Sequence, residues 1–169
     1  MSGKDKYASE RFKPKSPACA KSHINLLFNG KKLIMTSGIK KKRVYRYMAD
    51  SGKPNEMGRF SYSKERQKTP YKGPIPEGEY WINPDEFWEN AWYKIGSESA
   101  WGKYRITIHP FPKTNTYNRG GFFIHGGDLP GSAGCIDLTT QMSQFYKDLK
   151  REINTNTNCY IILKVDYNG

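Results

Sequence analysis

Cysteine and histidine are both scarce in this sequence, which has three of each among 169 residues. The cysteines are widely spaced and lack the dense pattern of a disulfide framework, so we expect Cys19 and Cys159 to be free or buried thiols. Neither Cys135 nor His125 has a companion at the CxxC or HxxxH spacing of a metal-ligand pair. We therefore expect neither a metal site nor a cofactor.

Long apolar runs are also absent, and none approaches the length that is needed to cross a bilayer. We expect no membrane partner. Residues 1–15 are charged and lead into no apolar stretch, so they do not predict a secretory signal peptide.

Acidic residues are few, since 16 Asp and Glu face 28 Lys and Arg and give a formal charge of +12. A strongly basic surface favours a polyanionic partner. Nucleic acid is one such partner, and a cell-wall polymer with free peptide carboxylates is another. Charge alone does not choose between them.

Short apolar stretches between glycines and prolines predict a mostly β domain. Ile24–Phe28 and Lys31–Met35 flank Asn29-Gly30, a dipeptide typical of a hairpin turn. Further predicted strands are Val44–Ala49, a strand ending at Ile82, Tyr104–Ile108, Gly121–Ile124 and Cys159–Val165. We expect one sandwich or barrel-like domain with one or two helices over residues 24–169, after a flexible basic leader at residues 1–23.

Two segments have helical spacing, and one long segment has none. Asn83-Pro84 suits the start of a helix, and residues 139–152 predict a second amphipathic helix. The apolar residues that would share one face of the first helix are Phe87, Trp88, Ala91, Trp92 and Ile95. Residues 55–71 are polar and without periodicity, which indicates a mobile lid or a substrate-facing loop.

The candidate catalytic residues are concentrated in a glycine-rich stretch. His125 ends a predicted apolar strand, and Cys135 follows across a loop with four glycines and a proline. A thiol is nucleophilic only as thiolate, which a nearby imidazole or a helix N-terminus promotes. Glycines allow backbone N–H groups to converge on one point, as an oxyanion hole requires. We predict that His125 is the base, Cys135 the nucleophile, and the N–H groups of Gly134 and Cys135 the oxyanion donors.

This stretch resembles the active-site signature of the L,D-transpeptidase (YkuD-type) catalytic domain. In that signature a His-Gly pair precedes a Ser/Thr-His-Gly-Cys-hydrophobic run, and here His125-Gly126 and Ser132–Ile136 take those places. Ala133 replaces the second histidine, and Asp137 replaces a basic or amide residue. With these two replacements, the stretch resembles the signature of a divergent branch, the L,D-transpeptidase-like toxins exported by type VI secretion. The signature of that branch resembles His-Gly-Gly…Pro-Gly-Ser-Ala-Gly-Cys-Ile-Asp-Leu.

The resemblance implies an L,D-transpeptidase-like fold and a cysteine enzyme that acts on the tetrapeptide stems of peptidoglycan. The acyl-enzyme would pass to water, as in an L,D-carboxypeptidase, or to an amine, as in D-amino-acid exchange or cross-linking. The resemblance also implies that the carbonyl of Gly126 orients His125. It further implies secretion into the periplasm of a target bacterium, and a cognate periplasmic immunity protein as partner.

Four polar residues near the loop are further candidates. Arg119 suits a substrate carboxylate, and Asp128 brackets the site on its other side. Ser132 can orient the loop or the substrate, or act as a structural cap. Asp137 can cap the helix predicted after the cysteine.

Two other classes of function stay open. A basic ribonuclease toxin would explain the charge and use His23, His109 and His125 as acid or base, but it gives Cys135 no role. A non-catalytic cell-wall-binding module or secretion adaptor would use the aromatic residues as its surface. Our reading favours the cysteine enzyme, as a monomer without a nucleic-acid partner.

Overall fold

The structure is a computed structural model that describes residues 14–89, 104–127, 131–154 and 160–168. Within these ranges the chain is mostly β, which confirms the predicted fold class. The strands are β1 Lys21–Phe28, β2 Lys32–Ser37, β3 Arg43–Met48, β4 Asp50–Ser51, β5 Gly78–Ile82, β6 Phe87–Glu89, β7 Tyr104–Pro110, β8 Phe122–His125, β9 Ile136–Asp137 and β10 Tyr160–Val165. The helices are α1 Lys64–Gln67 and α2 Met142–Asn154, with 3₁₀ turns at Pro84–Glu86 and Thr139–Gln141.

The strands are hydrogen-bonded in the order β3-β2-β1-β10-β5-β7-β8-β9-β4, and β6 pairs with β7 beside this path. The pairs β1–β10 and β8–β9 are parallel, and the other pairs are antiparallel. The predicted first hairpin is confirmed, because Phe28 pairs with Leu33 and Gly30 has a φ of 92°. That left-handed backbone conformation favours glycine.

Alternation along the strands places one face of the sheet against a hydrophobic core. In β1, Ile24, Leu26 and Phe28 are buried, while the residues between them are more exposed. Helix α2 closes this core with Phe145 and Leu149, which lie one helical turn apart and are fully buried. Burial of each such side chain stabilises the fold by about 1.5–3 kcal/mol. No helix in the described ranges is long and apolar enough to cross a membrane.

The helix predicted from Asn83 is wrong where the structure describes it. Asn83 caps only the 3₁₀ turn at Pro84–Glu86, through a hydrogen bond from Asp85 N to its side chain. Phe87–Glu89 then form β6, in which Phe87 pairs with Ile106. Aromatic residues fit a pleated surface well, and pairing with β7 overrides the helical spacing. Ala91, Trp92 and Ile95 lie outside the described residues.

The chain is ordered along the sheet before the predicted start at Ile24. Strand β1 begins at Lys21, and the indole N–H of Trp81 donates to the carbonyl of Lys15 at 2.8 Å. Cys19 is disulfide-bonded, so the expectation of a free or buried thiol is wrong for this residue. Spacing along the sequence did not reveal this bond, because the sheet brings distant segments together. Cys159 lies outside the described residues.

Residues 55–71 contain more structure than their sequence predicts. The hydroxyl of Ser63 accepts a hydrogen bond from Arg66 N and so caps α1. The buried side chain of Gln67 donates to Glu77 Oε1 at 3.2 Å and accepts from Glu77 N at 3.0 Å. These contacts fasten α1 to the turn that precedes β5.

Candidate active site

The parallel pair β8–β9 positions the two predicted catalytic side chains. His125 ends β8 and pairs with Asp137, and Cys135 directly precedes β9. Side chains two residues apart on a strand share a face, so Cys135 lies on the same side as Asp137 and His125. Ile124 and Ile136 point to the core from the opposite face. The register thus places Cys135, next to β9, on the same face of the sheet as His125 at the end of β8, and the two residues are 5% and 3% exposed.

The ring of His125 is oriented by the main chain. Its Nδ1 lies 2.7 Å from the carbonyl oxygen of Gly126, the contact that the resemblance implies. A carbonyl can only accept, so Nδ1 carries the hydrogen and Nε2 is the proton acceptor of the neutral ring. Burial lowers the pKa of His125, and the charge of Arg105 acts in the same direction against the opposing Gly126 hydrogen bond. The imidazole is therefore neutral at neutral pH and can act as a base.

Cys135 is not disulfide-bonded, and its Sγ lies 3.9 Å from the carbonyl oxygen of Gly121. Strand β9 follows the cysteine directly, and the helix predicted over residues 139–152 is confirmed as the 3₁₀ turn that begins at Thr139 and continues into α2. Among the described residues no helix N-terminus directly follows Cys135, and promotion of the thiolate by the imidazole of His125 stays a prediction.

Hydrogen bonds fix the end of the glycine-rich loop. Ser132 Oγ donates to the carbonyl of Cys135 at 2.7 Å, and Ser132 N donates to the carbonyl of Gly52 at 2.9 Å. The carboxylate of Asp50 accepts from Gly131 N at 3.1 Å. The loop is therefore tied to β4 and to the residue that follows this strand. Asp128 lies outside the described residues.

Arg119 lies beneath the same loop and is 2% exposed. Its guanidinium donates to the carbonyl oxygens of Gln67, Gly73 and Pro74. These hydrogen bonds link the end of α1 and the segment after it to the residues that precede β8. The role of Arg119 in binding a substrate carboxylate stays a prediction.

Two ionisable residues in the cross-strand row that contains His125 had no role in the sequence prediction. Arg105 of β7 pairs with His125, and Asp50 of β4 pairs with Asp137. Burial raises the pKa of Asp50 to about 6 and that of Asp137 to about 7. Asp137 also accepts a hydrogen bond from Thr139 N at 2.8 Å, as a residue at the start of the turn can. The alternation of β7 indicated that Arg105 faces away from the core, but no local signal marked Asp50.

The other histidines lie apart from this site. His109 is 1% exposed, hydrogen-bonded to Glu86 at 2.7 Å and stacked on Trp81. It lies four residues beyond Arg105 on β7, a rise of about 13 Å. His23 lies on β1, which β10 and β5 separate from β7. In the described ranges, no three His, Cys, Asp or Glu side chains are grouped to hold a metal ion.

A comparison with known families places this site in context. Residues 47–160 match the family model of the Tlde1 domain, and this range is more than half of the 169-residue chain. The chain belongs to the Tlde1 domain family. This is a family of type VI secretion effectors of the L,D-transpeptidase type, which confirms the effector family predicted from the glycine-rich stretch. The matched range of the Tlde1 domain contains both His125 and Cys135. No curated protein matches the chain.

Proposed function

We propose that this Tlde1 domain is a cysteine-dependent L,D-carboxypeptidase or L,D-transpeptidase that acts on tetrapeptide stems of peptidoglycan. One observation carries the proposal. His125 Nδ1 donates to the Gly126 carbonyl, while Cys135 directly precedes the adjacent strand β9 and lies on the same face of the sheet as His125. This arrangement supplies a base and a nucleophile of the kind that acyl transfer requires.

In the acylation step, His125 Nε2 takes the proton of the Cys135 thiol. The thiolate attacks the carbonyl carbon of the third stem residue, and the resulting oxyanion accepts hydrogen bonds from the N–H groups of Gly134 and Cys135. The intermediate then collapses and its C–N bond breaks. The amino group of the departing D-alanine takes the proton from His125, and a thioester to Cys135 is left.

Two nucleophiles can resolve the thioester. Water, deprotonated by His125, gives a tripeptide stem and a carboxypeptidase reaction. The amino group of a D-amino acid or of a neighbouring stem gives exchange or a cross-link. Both routes return the thiolate of Cys135, and access of water to the site decides between them. We propose that residues 55–72 control this access. Lys53 N donates a hydrogen bond to the carbonyl of Lys72 at 2.8 Å, which closes this segment into a loop.

The substrate offers carboxylates to a chain with a formal charge of +12. Arg119, Ser132 and Asp128 remain our candidates for contacts to the stem. Ser132 holds the carbonyl of Cys135 through its hydroxyl, so its substitution would also disturb the loop.

The biological setting follows from the effector family. Peptidoglycan lies outside the cytoplasm, so we propose that the protein is secreted into the periplasm of a target bacterium. A periplasmic immunity protein would protect the producer by covering the site near Cys135. An acidic surface on that inhibitor would match the basic effector and speed its association.

The direct test is mass spectrometry of purified muropeptides incubated with the protein. We expect loss of tetrapeptide stems, with tripeptides appearing in water alone and exchanged stems appearing when a D-amino acid is added. Cys135→Ala serves as the matched control and should leave the muropeptides unchanged. Wild-type processing by Cys135→Ala would show that the nucleophile is wrongly assigned.

A further inference from the structure

Four charged or titratable side chains form one row across four neighbouring strands. Arg105 of β7 pairs with His125 of β8, His125 pairs with Asp137 of β9, and Asp137 pairs with Asp50 of β4. Cross-strand partners share a face of the sheet, so the four side chains lie on the side away from the core. The catalytic histidine thus has a cation on one side and two carboxyl groups on the other.

The carboxyl group of Asp137 is close to the ring but does not bond to it. Its Oδ1 lies 3.9 Å from His125 Nδ1, whose hydrogen is directed to the Gly126 carbonyl. Asp137 is 1% exposed, and its Oδ2 has no hydrogen-bond partner among the described residues. A buried carboxylate oxygen without a partner is costly unless a nearby positive charge compensates it. The imidazolium of His125 is such a charge.

We propose that Asp137 is a positioning residue that acts through His125, stabilising its imidazolium form and thereby the thiolate of Cys135. This inference rests on the Cys–His pair of the proposed function. It gives the buried carboxyl group a role beyond its hydrogen bond to Thr139 N.

The proton balance shows where Asp137 acts. The proton moves from Cys135 Sγ to His125 Nε2, which leaves an anionic sulfur and a cationic ring. A carboxylate 3.9 Å from the ring lowers the free energy of that ion pair, whereas Arg105 raises it. Asp50 acts one strand further away, and its charge opposes ionisation of Asp137. The charge of Asp137 therefore depends on Asp50, and that of His125 depends on Asp137.

The test is the rate at which iodoacetamide alkylates Cys135 between pH 5 and 9, followed by mass spectrometry of the peptide that contains this residue. Asp137→Asn keeps the acceptor for Thr139 N and removes the charge. We expect the midpoint of the rate curve to rise by about one pH unit, as loss of a nearby opposite charge predicts. Asp50→Asn keeps the acceptor for Gly131 N and should move the midpoint the other way, because Asp137 then ionises more readily.

The matched control is Asp166→Asn, which removes a carboxylate next to Lys164, in a part of the chain that has no place in the row. Its curve should coincide with that of the wild type. If the curve of Asp137→Asn also coincides with the wild type, Asp137 only caps the turn and the inference is wrong. It is equally wrong if Asp50→Asn and Asp137→Asn shift the curve in the same direction.

Asp50→Asn keeps the test decisive if Asp137→Asn does not fold, because the midpoint can fall in this variant only through the increased charge of Asp137. A midpoint that is unchanged or raised in Asp50→Asn would then overturn the inference. Alkylation needs no substrate, so the result is separate from the proposed function. If the variants shift the alkylation curve but the protein leaves muropeptides intact, the proposed substrate is wrong and the inference stands. An enzyme that processes muropeptides but shows unshifted alkylation curves would refute only the inference and leave the proposed function standing.

Discussion

Gly134 of the glycine-rich loop and Arg119 are in close contact, so the conformation of each depends on the other. Gly134 has a φ of 112°, and a Cβ at this position would lie 2.5 Å from Arg119 Nη2. Any other residue would strain the backbone and push the guanidinium away from its carbonyl partners. The buried cation is thus held next to the peptide N–H groups that we propose for the oxyanion hole.

At the same scale, Cys135 and His125 should behave as one unit. Cys135→Ala and His125→Ala should each abolish muropeptide turnover in the mass-spectrometric assay, because neither group is useful without the other. The double variant should be only slightly worse than either single variant, since residues that act together are strongly non-additive. Circular dichroism should show that all three variants remain folded. If the loss of turnover in the double variant equals the product of the two single losses, the two residues do not act in the same step.

Part of this site could be predicted from sequence, and part could not. A histidine at a strand end and a cysteine after four glycines are local features, and they identified His125 and Cys135. Asp50 and Arg105 come from strands far away in sequence, and only the register of β4, β7, β8 and β9 sets them in one row with His125 and Asp137. A single sequence does not contain that register.

Among the elements, the β4–β9 pair and the α2–β3 contact should affect stability in opposite ways as pH changes. Asp50 and Asp137 have pKa values of about 6 and about 7, above the ordinary 3.8, so the folded state binds their protons more tightly. Their stabilising effect is complete below the ordinary value and is lost as pH rises through 6 and 7. Glu152 on α2 has a pKa of about 2, lowered chiefly by hydrogen bonds from Arg43 of β3, so its contribution is lost as pH falls.

The midpoint temperature of thermal unfolding should therefore be highest near pH 4, where the loss from Asp50 and Asp137 above their ordinary pKa of 3.8 balances the gain from Glu152 below its ordinary pKa of 4.5. The Asp50→Asn, Asp137→Asn double variant should lose the decline on the alkaline side and keep the acid decline. Glu152→Gln should do the reverse. A midpoint temperature of the double variant that falls between pH 5 and 8 as steeply as in the wild type would contradict the assignment.

Longer elements were predicted well, and the shortest were not. The first hairpin, β7, β8 and α2 have clear periodicity over several residues, and the structure confirms them. β4 and β9 are two residues each and exist only through pairing with other strands. Both lie beside the glycine-rich loop, so the elements that periodicity misses are the ones that build the candidate site.

On the scale of the whole molecule, the disulfide at Cys19 fastens the segment that crosses the sheet near Trp81. A disulfide typically stabilises a fold by about 2–4 kcal/mol, and each kcal/mol corresponds to about 2–4 °C in a domain of this size. Reductant or Cys19→Ser should therefore lower the midpoint of thermal unfolding by about 5–15 °C. Reductant should cause no further loss in Cys19→Ser, whereas Cys135→Ser should keep the full sensitivity of the wild type. Equal midpoint temperatures of unfolding with and without reductant would show that the disulfide does not stabilise the domain.

The compartment in which the protein is toxic tests the whole proposal. Peptidoglycan is reached only from outside the cytoplasm, so expression in a Gram-negative host should be harmless without export. Fusion to a Sec signal should cause lysis or rounding, because the enzyme then meets stem peptides in an oxidising compartment that also favours the Cys19 disulfide. Cys135→Ala with the same signal is the matched control and should be harmless, and co-expression of the proposed periplasmic immunity protein should protect the host from the wild type. If the protein kills from the cytoplasm without export, and Cys135→Ala kills equally well, a basic ribonuclease is favoured instead, because its substrate lies in that compartment.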